Sequence, residues 1–321
     1  MMRMRKNIFT VIIYLLVVTA MTAQQQRQFT HFMFNKMAYN PAYVGNQEAA
    51  AITGLYRNQW VGINGAPISQ FLTVDLPFRN NKVGLGFNLA HSTIGISNIW
   101  NLDAMYAYRI KVGAQGGLAG GIMASGRYFG MNFSDPSLIA SQNPAQDPAL
   151  QTEPYKKYIF NFGAGIYFNV PHFYLGVSVP RILEADIDFD KSQGTISKEE
   201  RHYYLMTGIG IDLSDKVEMI PQVMVKYIEN APWDLDANVN FVFNKKITIG
   251  GSYRMGGDNQ SKGESLDFLL GFRISRPLYL GVSYDYTISS LQKLNRGSYE
   301  AMLRYIFIKQ DEDLLRNPRF F

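Results

Sequence analysis

The four histidines are the first residues to test for chemistry, because imidazole serves both as a metal ligand and as a general base. They are His31, His91, His172 and His202, and none sits in the HExxH spacing or another metal-binding spacing. His91 is followed directly by Ser92, but alternation along a strand sends neighbouring side chains to opposite faces. We therefore predict that the protein is not an enzyme and has no catalytic, cofactor-binding or metal site.

An acidic run, Asp186-Ile187-Asp188-Phe189-Asp190, has the carboxylate spacing with which a calcium loop begins. The glycine and the terminal glutamate of that motif are missing at the required offsets, which favours a solvated acidic loop. The chain also has no cysteine, and this excludes a thiolate nucleophile, a cysteine-ligated metal and a disulfide framework.

The amino-terminal residues have the order of a secretory signal peptide, which we place at 1–23. A short basic stretch precedes an apolar run at 8–20, and the small residues Ala20 and Ala23 precede Gln24. The run is shorter than the ~20 residues that a helix needs to cross a bilayer, and we prefer cleavage after Ala23. Because the basic stretch contributes to the formal charge of +5, the charge does not indicate a nucleic-acid partner.

Period-two alternation of apolar and polar residues dominates the rest of the chain and is clearest at 100–109, 158–168, 233–243 and 278–288. About 14 such segments follow one another, and most are as long as the ~9–11 residues of a tilted membrane strand. They lie near 50–60, 67–78, 82–92, 97–110, 115–129, 157–170, 172–181, 201–213, 216–229, 233–244, 245–255, 264–275, 277–288 and 297–308. The composition is typical of a barrel wall that lies between lipid and a polar lumen. It includes 20 Tyr, 21 Phe and 28 Gly, and the mean hydropathy is −0.11.

These patterns predict an all-β protein: a transmembrane antiparallel β-barrel of about 14 strands at 51–308, in the Gram-negative outer membrane. The connections alternate between short turns and mostly longer loops, as in barrels whose short turns are periplasmic. This order predicts a periplasmic N-terminal lead-in at 24–50 and a periplasmic C-terminal tail at 309–321. The connection 230–232 is the exception, because it is short yet assigned to the outside.

Alternation also predicts an inner face that carries charges of both signs. Such a lumen is either a wet channel or a network of ion pairs that closes the pore, and the sequence leaves both open. The predicted inward charges are Asp75, Asp103, Arg109, Asp234, Asp236, Arg254, Asp267, Arg273, Asp285, Glu300 and Arg304.

Two short segments after the signal peptide carry a family resemblance. The first reads Tyr39-Asn40-Pro41-Ala42-Tyr43-Val44-Gly45, and the second reads Arg57-Asn58-Gln59-Trp60-Val61-Gly62, followed by Gly65-Ala66-Pro67. In these two motifs the chain resembles the PorP/SprF family of type IX secretion system outer-membrane proteins. Its ending, Arg316-Asn317-Pro318-Arg319-Phe320-Phe321, is also similar to the ends of family members. The candidate partner or plug contacts are the motif residues Tyr39, Asn40, Pro41, Arg57, Gln59, Trp60, Gly62, Gly65 and Pro67.

The resemblance implies a non-enzymatic component of the type IX secretion and gliding machinery, which docks or helps secrete and attach a large surface adhesin. The implied partners are that adhesin, other secretion subunits and outer-membrane lipid. The motif segments either shape the first strand and plug the barrel or contact a partner, and Asn-Pro and Gly-Ala-Pro are turn chemistry first. The alternative function is a diffusion channel or porin-like transporter.

The long loops 130–156 and 182–200 are the segments in which the sequence favours function. Long loops on a rigid scaffold suit partner docking, although plain solvated connections have the same composition. The tail at 309–321 is charged and ends in two phenylalanines, which fits either a short docking helix or a barrel-assembly signal.

Overall fold

A computed structural model describes residues 28–47, 49–78, 81–135, 154–187, 198–229, 231, 233–256 and 263–307. Among these residues, no helix has both the length and the apolar character needed to cross a membrane. The described chain consists mainly of antiparallel strands, with a few short 3-10 turns.

Most strands are long, and those of the barrel wall follow the alternating segments of the sequence. Their bounds are β1 Ala51–Asn58, β2 Ile68–Phe78, β3 Val83–Ile94, β4 Ser97–Val112, β5 Gly116–Met131, β6 Tyr155–Val170, β7 Phe173–Val179, β8 Ala185–Asp186, β9 Lys198–Glu199, β10 His202–Ile209, β11 Ile211–Ser214, β12 Val217–Ile228, β13 Asp234–Phe243, β14 Ile247–Met255, β15 Ser265–Arg273, β16 Leu278–Thr287 and β17 Ser298–Ile306.

The sheet closes on itself. β1 pairs with β2 on one side and with the last strand, β17, on the other, while β10 pairs with both β7 and β12. Because β10 and β11 are two parts of one broken strand, the 15-stranded sheet is a closed barrel of 14 strands. The all-β, 14-stranded prediction is therefore confirmed, and β8 and β9 form a small separate ribbon.

The strand predicted as continuous over 201–213 is the one that breaks. β10 pairs with β7 as far as Phe173, the first residue of β7. The four residues of β11 extend past that point and have only β12 beside them. The break at Gly210 therefore marks the place where the strand loses one of its two neighbours.

The two faces of the wall differ as alternation predicts. On β4, Trp100 and Leu102 are exposed on the outside, whereas Asn101 and Asp103 are buried on the inside. The charges predicted to point inward are either buried, as at Asp75, Asp103, Asp236, Arg254, Asp267, Asp285, Glu300 and Arg304, or half-buried, as at Arg109, Asp234 and Arg273. The barrel thus presents apolar side chains to lipid and polar side chains to its lumen.

Candidate functional site

The amino-terminal residues 28–46, named here the lumen segment, fold inside the barrel. They form three 3-10 turns, Phe32–Phe34, Lys36–Ala38 and Pro41–Tyr43. Every residue of the segment is buried except Phe34 and Ala38, which are half-buried. The residues predicted as an N-terminal lead-in therefore fill the lumen over most of their length, because their apolar side chains are removed from water there.

The lumen segment and the wall share one hydrophobic core. Phe29 packs edge-on against Phe71 of β2, with ring centroids 5.0 Å apart. Tyr43 packs edge-on against Tyr167 of β6 at 5.3 Å. The core also contains wall residues from five further strands, namely Met105, Met123, Tyr174, Met206 and Met224. The centre of the barrel is thus packed like a protein interior around the segment.

An ion-pair cluster fixes the start of the lumen segment. Arg57 NH1 lies 2.7 Å from Asp285 Oδ2 and 3.1 Å from Glu300 Oε2, and it donates to Thr30 Oγ1 at 2.8 Å. The backbone N–H groups of Thr30 and His31 donate to the two Glu300 oxygens at 3.0 and 2.8 Å. His31 Nδ1 lies 2.7 Å from Glu300 Oε1. All five residues are buried, and charge-assisted hydrogen bonds of this kind are the stronger ones.

The ion pairs continue along the inner face of the neighbouring strands. Arg254 contacts Asp236 Oδ1 at 2.8 Å and Asp267 Oδ2 at 3.3 Å. Lys226 Nζ lies 2.9 Å from Asp236 Oδ2 and 3.2 Å from Asp234 Oδ2. Of the two lumen types that the sequence left open, this arrangement favours an ion-pair network.

Asn40, from the first motif segment, joins the middle of the lumen segment to β6 and β7. Its Oδ1 accepts the Ala42 N–H at 2.9 Å and caps the turn that Pro41 begins. Its Nδ2 donates to the carbonyl oxygens of Ile166 at 3.0 Å and Val177 at 3.4 Å. One amide side chain therefore both shapes the segment and binds the wall.

Glycines on the inner wall make room for this contact. A Cβ added to Gly165 or Gly176 would meet the Asn40 amide, and one added to Gly121 would meet the Ala42 backbone. A larger side chain at these positions would displace the segment. The glycines were not singled out in the sequence, although a glycine within a strand pattern indicates a close backbone approach.

A third contact holds the end of the lumen segment. Gly45 N–H donates to Asp75 Oδ1 at 2.6 Å, and Arg109 NH1 donates to the Gly45 carbonyl oxygen at 2.6 Å. Gly45 has φ +69°, a conformation that favours glycine. It lies against Gly84 of β3, where an added Cβ would meet the Val44 backbone.

The motif residues separate into two places. Tyr39, Asn40, Pro41 and Arg57 are buried in the lumen. The others belong to the connection between β1 and β2: Gln59, Trp60, Gly62, Gly65 and Pro67. Arg57 binds the lumen segment at Thr30, ahead of the first motif.

The β1–β2 connection is built from backbone contacts. Gln59 N–H donates to the Pro67 carbonyl oxygen at 2.9 Å, and Trp60 N–H donates to Ser298 Oγ at 3.1 Å. Trp60, Gly62 and Gly65 all have positive φ, at 49°, 105° and 73°. These residues shape the connection, as turn chemistry predicts.

Several predicted features lie outside the described residues. They are the signal peptide at 1–23, residues 136–153 of the first long loop, residues 188–197 of the second, and the tail at 309–321. Among the residues that the structure does describe, no group of three or more His, Asp or Glu has an arrangement suited to a metal ion.

We expect Gly84→Val to release the lumen segment. The new side chain meets backbone that cannot rotate away, and overpacking of this kind costs about 1–3 kcal/mol. The readout is trypsin cleavage after Lys36, the only lysine or arginine in residues 28–46, whose side chain is 1% exposed. The rate of cleavage follows the fraction of molecules in which the lumen segment is released, so it should increase roughly ten- to a hundredfold.

Gly120→Val is the matched control, because a Cβ at Gly120 meets nothing within 4 Å. It should leave Lys36 as protected as in the unmodified protein. Rapid cleavage after Lys36 in the unmodified barrel, or equal protection in Gly84→Val, would contradict the close packing of Val44 against Gly84.

Comparison with known proteins points to one family. The profile of a family described as "Type IX secretion system membrane protein PorP/SprF" matches residues 21–305. A search of curated protein sequences finds no match.

Solved structures show the same kind of fold. The Ralstonia pickettii toluene transporter TbuX has a TM-score of 0.51 and 8% identity, over 85% of this chain and 93% of that chain. Omp33 of Acinetobacter baumannii has a TM-score of 0.47 and 9% identity, over 82% and 100% of the two chains. A Pseudomonas aeruginosa FadL homologue has a TM-score of 0.46 and 11% identity, over 85% and 94%. At such identities the likeness concerns the barrel fold alone.

Proposed function

Because the chain belongs to the PorP/SprF family of type IX secretion system membrane proteins, we propose that it is a non-enzymatic docking component which helps secrete and attach a large surface adhesin. Family and fold place the protein in the outer membrane. In this role the protein contacts the adhesin and other secretion subunits in gliding motility.

The filled lumen is the observation that carries this proposal. The lumen segment is bound to β1, β16 and β17 through Arg57, Asp285 and Glu300, to β6 and β7 through Asn40, and to β2 and β4 through its Gly45 end. The lumen segment is therefore bound to strands on several sides of the barrel. A barrel whose lumen is occupied by its own chain offers surfaces to partners, which supports docking over the porin-like alternative.

The strand ends that carry the two long connections lie side by side. The loop 130–156 joins β5 to β6, and the loop 182–200 joins β7 to β10, so both rise from four neighbouring strands at the same rim. Arg127 of β5 and Arg181 both contact Glu199 of the β8–β9 ribbon, at 2.8 and 3.3 Å. The base of the second loop is therefore tied to the strand from which the first loop starts.

Replacing residues 136–153 by a short Gly-Ser linker should abolish docking without unfolding the barrel. Asp135 and Pro154 lie at the two ends of the exchanged stretch. The variant should reach the outer membrane and keep its heat-modifiable gel shift, since closed barrels resist SDS until boiled. Surface display of the adhesin and spreading motility should be lost, together with stoichiometric co-purification of the partner.

The same exchange at 257–262, between β14 and β15 on the same rim, is the matched control, and it should leave display and spreading unchanged. Normal adhesin display and spreading in the 136–153 variant would refute the docking proposal. A change of ion conductance in that variant, with display unchanged, would favour the channel instead.

A further inference from the structure

The lumen segment begins at the rim where the longer connections lie, named here the loop mouth. Gln28 Nε2 donates to Asp234 Oδ2 at 2.6 Å, and Asp234 is the first residue of β13, which starts at that rim. The next contacts, from Thr30 to Asp285 and Glu300, involve the loop-mouth ends of β16 and β17.

The segment ends at the opposite rim, the turn mouth, where short turns such as 171–172 and 215–216 join the strands. Arg109 NH1 donates both to the Gly45 carbonyl oxygen at 2.6 Å and to the carbonyl oxygen of Asn81, in the β2–β3 turn, at 3.2 Å. β1 then starts at the turn mouth, where Ala51 pairs with Ile306, the last residue of β17.

The chain therefore passes once through the lumen before β1 runs back along the wall. We infer that the amino-terminal end of the mature chain leaves the barrel at the loop mouth, while the carboxyl-terminal end leaves at the turn mouth. The two ends then lie on opposite sides of the membrane. This differs from the expectation of two periplasmic ends, because counting strands fixes the side on which β1 starts but not the path of the chain before it.

A partner that arrives at the loop mouth meets the amino-terminal residues of this chain together with the long loops. Among the described residues of the predicted periplasmic lead-in, it is the end from Gly45 onward that lies at the turn mouth. Secretion subunits on the side of the turn mouth would contact the short turns and the chain after Ile306.

Single cysteines can test the path cleanly, because the natural chain has none. The test variant is Gln26→Cys, close to the point where the described chain begins. Lys293→Cys, exposed in the connection before β17, marks the loop mouth, and Asp215→Cys, exposed in the β11–β12 turn, marks the turn mouth. Each full-length variant is treated with a membrane-impermeant maleimide on intact cells, again after the outer membrane is permeabilised, and finally after unfolding.

Gln26→Cys should first react with the maleimide under the same condition as Lys293→Cys, the loop-mouth marker. It should not share the condition that first labels Asp215→Cys, the turn-mouth marker. This comparison does not depend on which side of the membrane each mouth faces. Reaction of Gln26→Cys together with Asp215→Cys would overturn the inference. Reaction only after unfolding would overturn it too, because the end would then stay inside the lumen. None of these readouts uses the adhesin, so a failure of the docking proposal would leave the result unchanged.

Discussion

Glu300→Ala should lower the free energy of unfolding of the barrel by about 3–5 kcal/mol, the range for removing one partner of a buried ion pair. The substitution leaves Arg57 with one carboxylate partner, Asp285, in place of two. It also removes the acceptor of the N–H groups of Thr30 and His31, which are both buried. The measurement is the temperature at which the compact, SDS-resistant form converts to the unfolded form on gels.

Glu184→Ala is the matched control. Glu184 also pairs with an arginine, Arg201, at 3.7 Å, but both side chains are open to water, at 38% and 36% exposure. Exposed pairs of this kind contribute about 0–1 kcal/mol, so the conversion temperature should hardly move. Equal conversion temperatures for the two alanine variants would show that the Arg57–Glu300 contact does not hold the lumen segment.

Ile122→Arg should reduce the amount of folded protein in the outer membrane, with a cost of about 2–4 kcal/mol for an arginine on the lipid face near the bilayer midplane. Ile122 lies well inside β5, its side chain is 63% exposed, and it stands between Tyr106 and Ala164 on the outer face. The measurement is the fraction of heat-modifiable protein in isolated outer membranes.

Tyr158→Arg gives the depth control for this prediction. Tyr158 is also on the outer face, at 69% exposure, but it lies near the loop-mouth end of β6. The cost of an arginine falls to about 0–1 kcal/mol near the membrane interface. A larger loss for Tyr158→Arg than for Ile122→Arg would mean that the apolar band is placed wrongly along the strands.

The wall of the barrel was predictable because its signal is periodic. Alternation over 97–110 and 277–288 predicted strands that the structure has at Ser97–Val112 and Leu278–Thr287. The same alternation assigns faces and places eight of the buried charges on the inner wall, but the list of inward charges lacks Arg57 and Lys226, which are also buried there. The break at Gly210 was not predictable, since it depends on where another strand, β7, begins.

The lumen segment had no such signal. Its three 3-10 turns are too short to set up a period, and the wall residues that it touches come from strands scattered along the chain. The spacing of His31 to the other histidines says nothing about its partner Glu300, which is 269 positions away. The sequence Asn40-Pro41 by itself indicates that Asn40 caps a turn. It does not indicate that Asn40 also binds carbonyl oxygens of β6 and β7.

Ion conductance in planar bilayers tests most directly whether the chain closes its own barrel. The comparison is between the unmodified protein and a variant in which residues 28–46 are replaced by a short Gly-Ser linker, both purified in the heat-modifiable form. The closed lumen predicts no large steady openings for the unmodified protein and clear openings for the variant. Large steady openings of the unmodified protein, equal to those of the variant, would contradict the closed lumen and favour a diffusion channel.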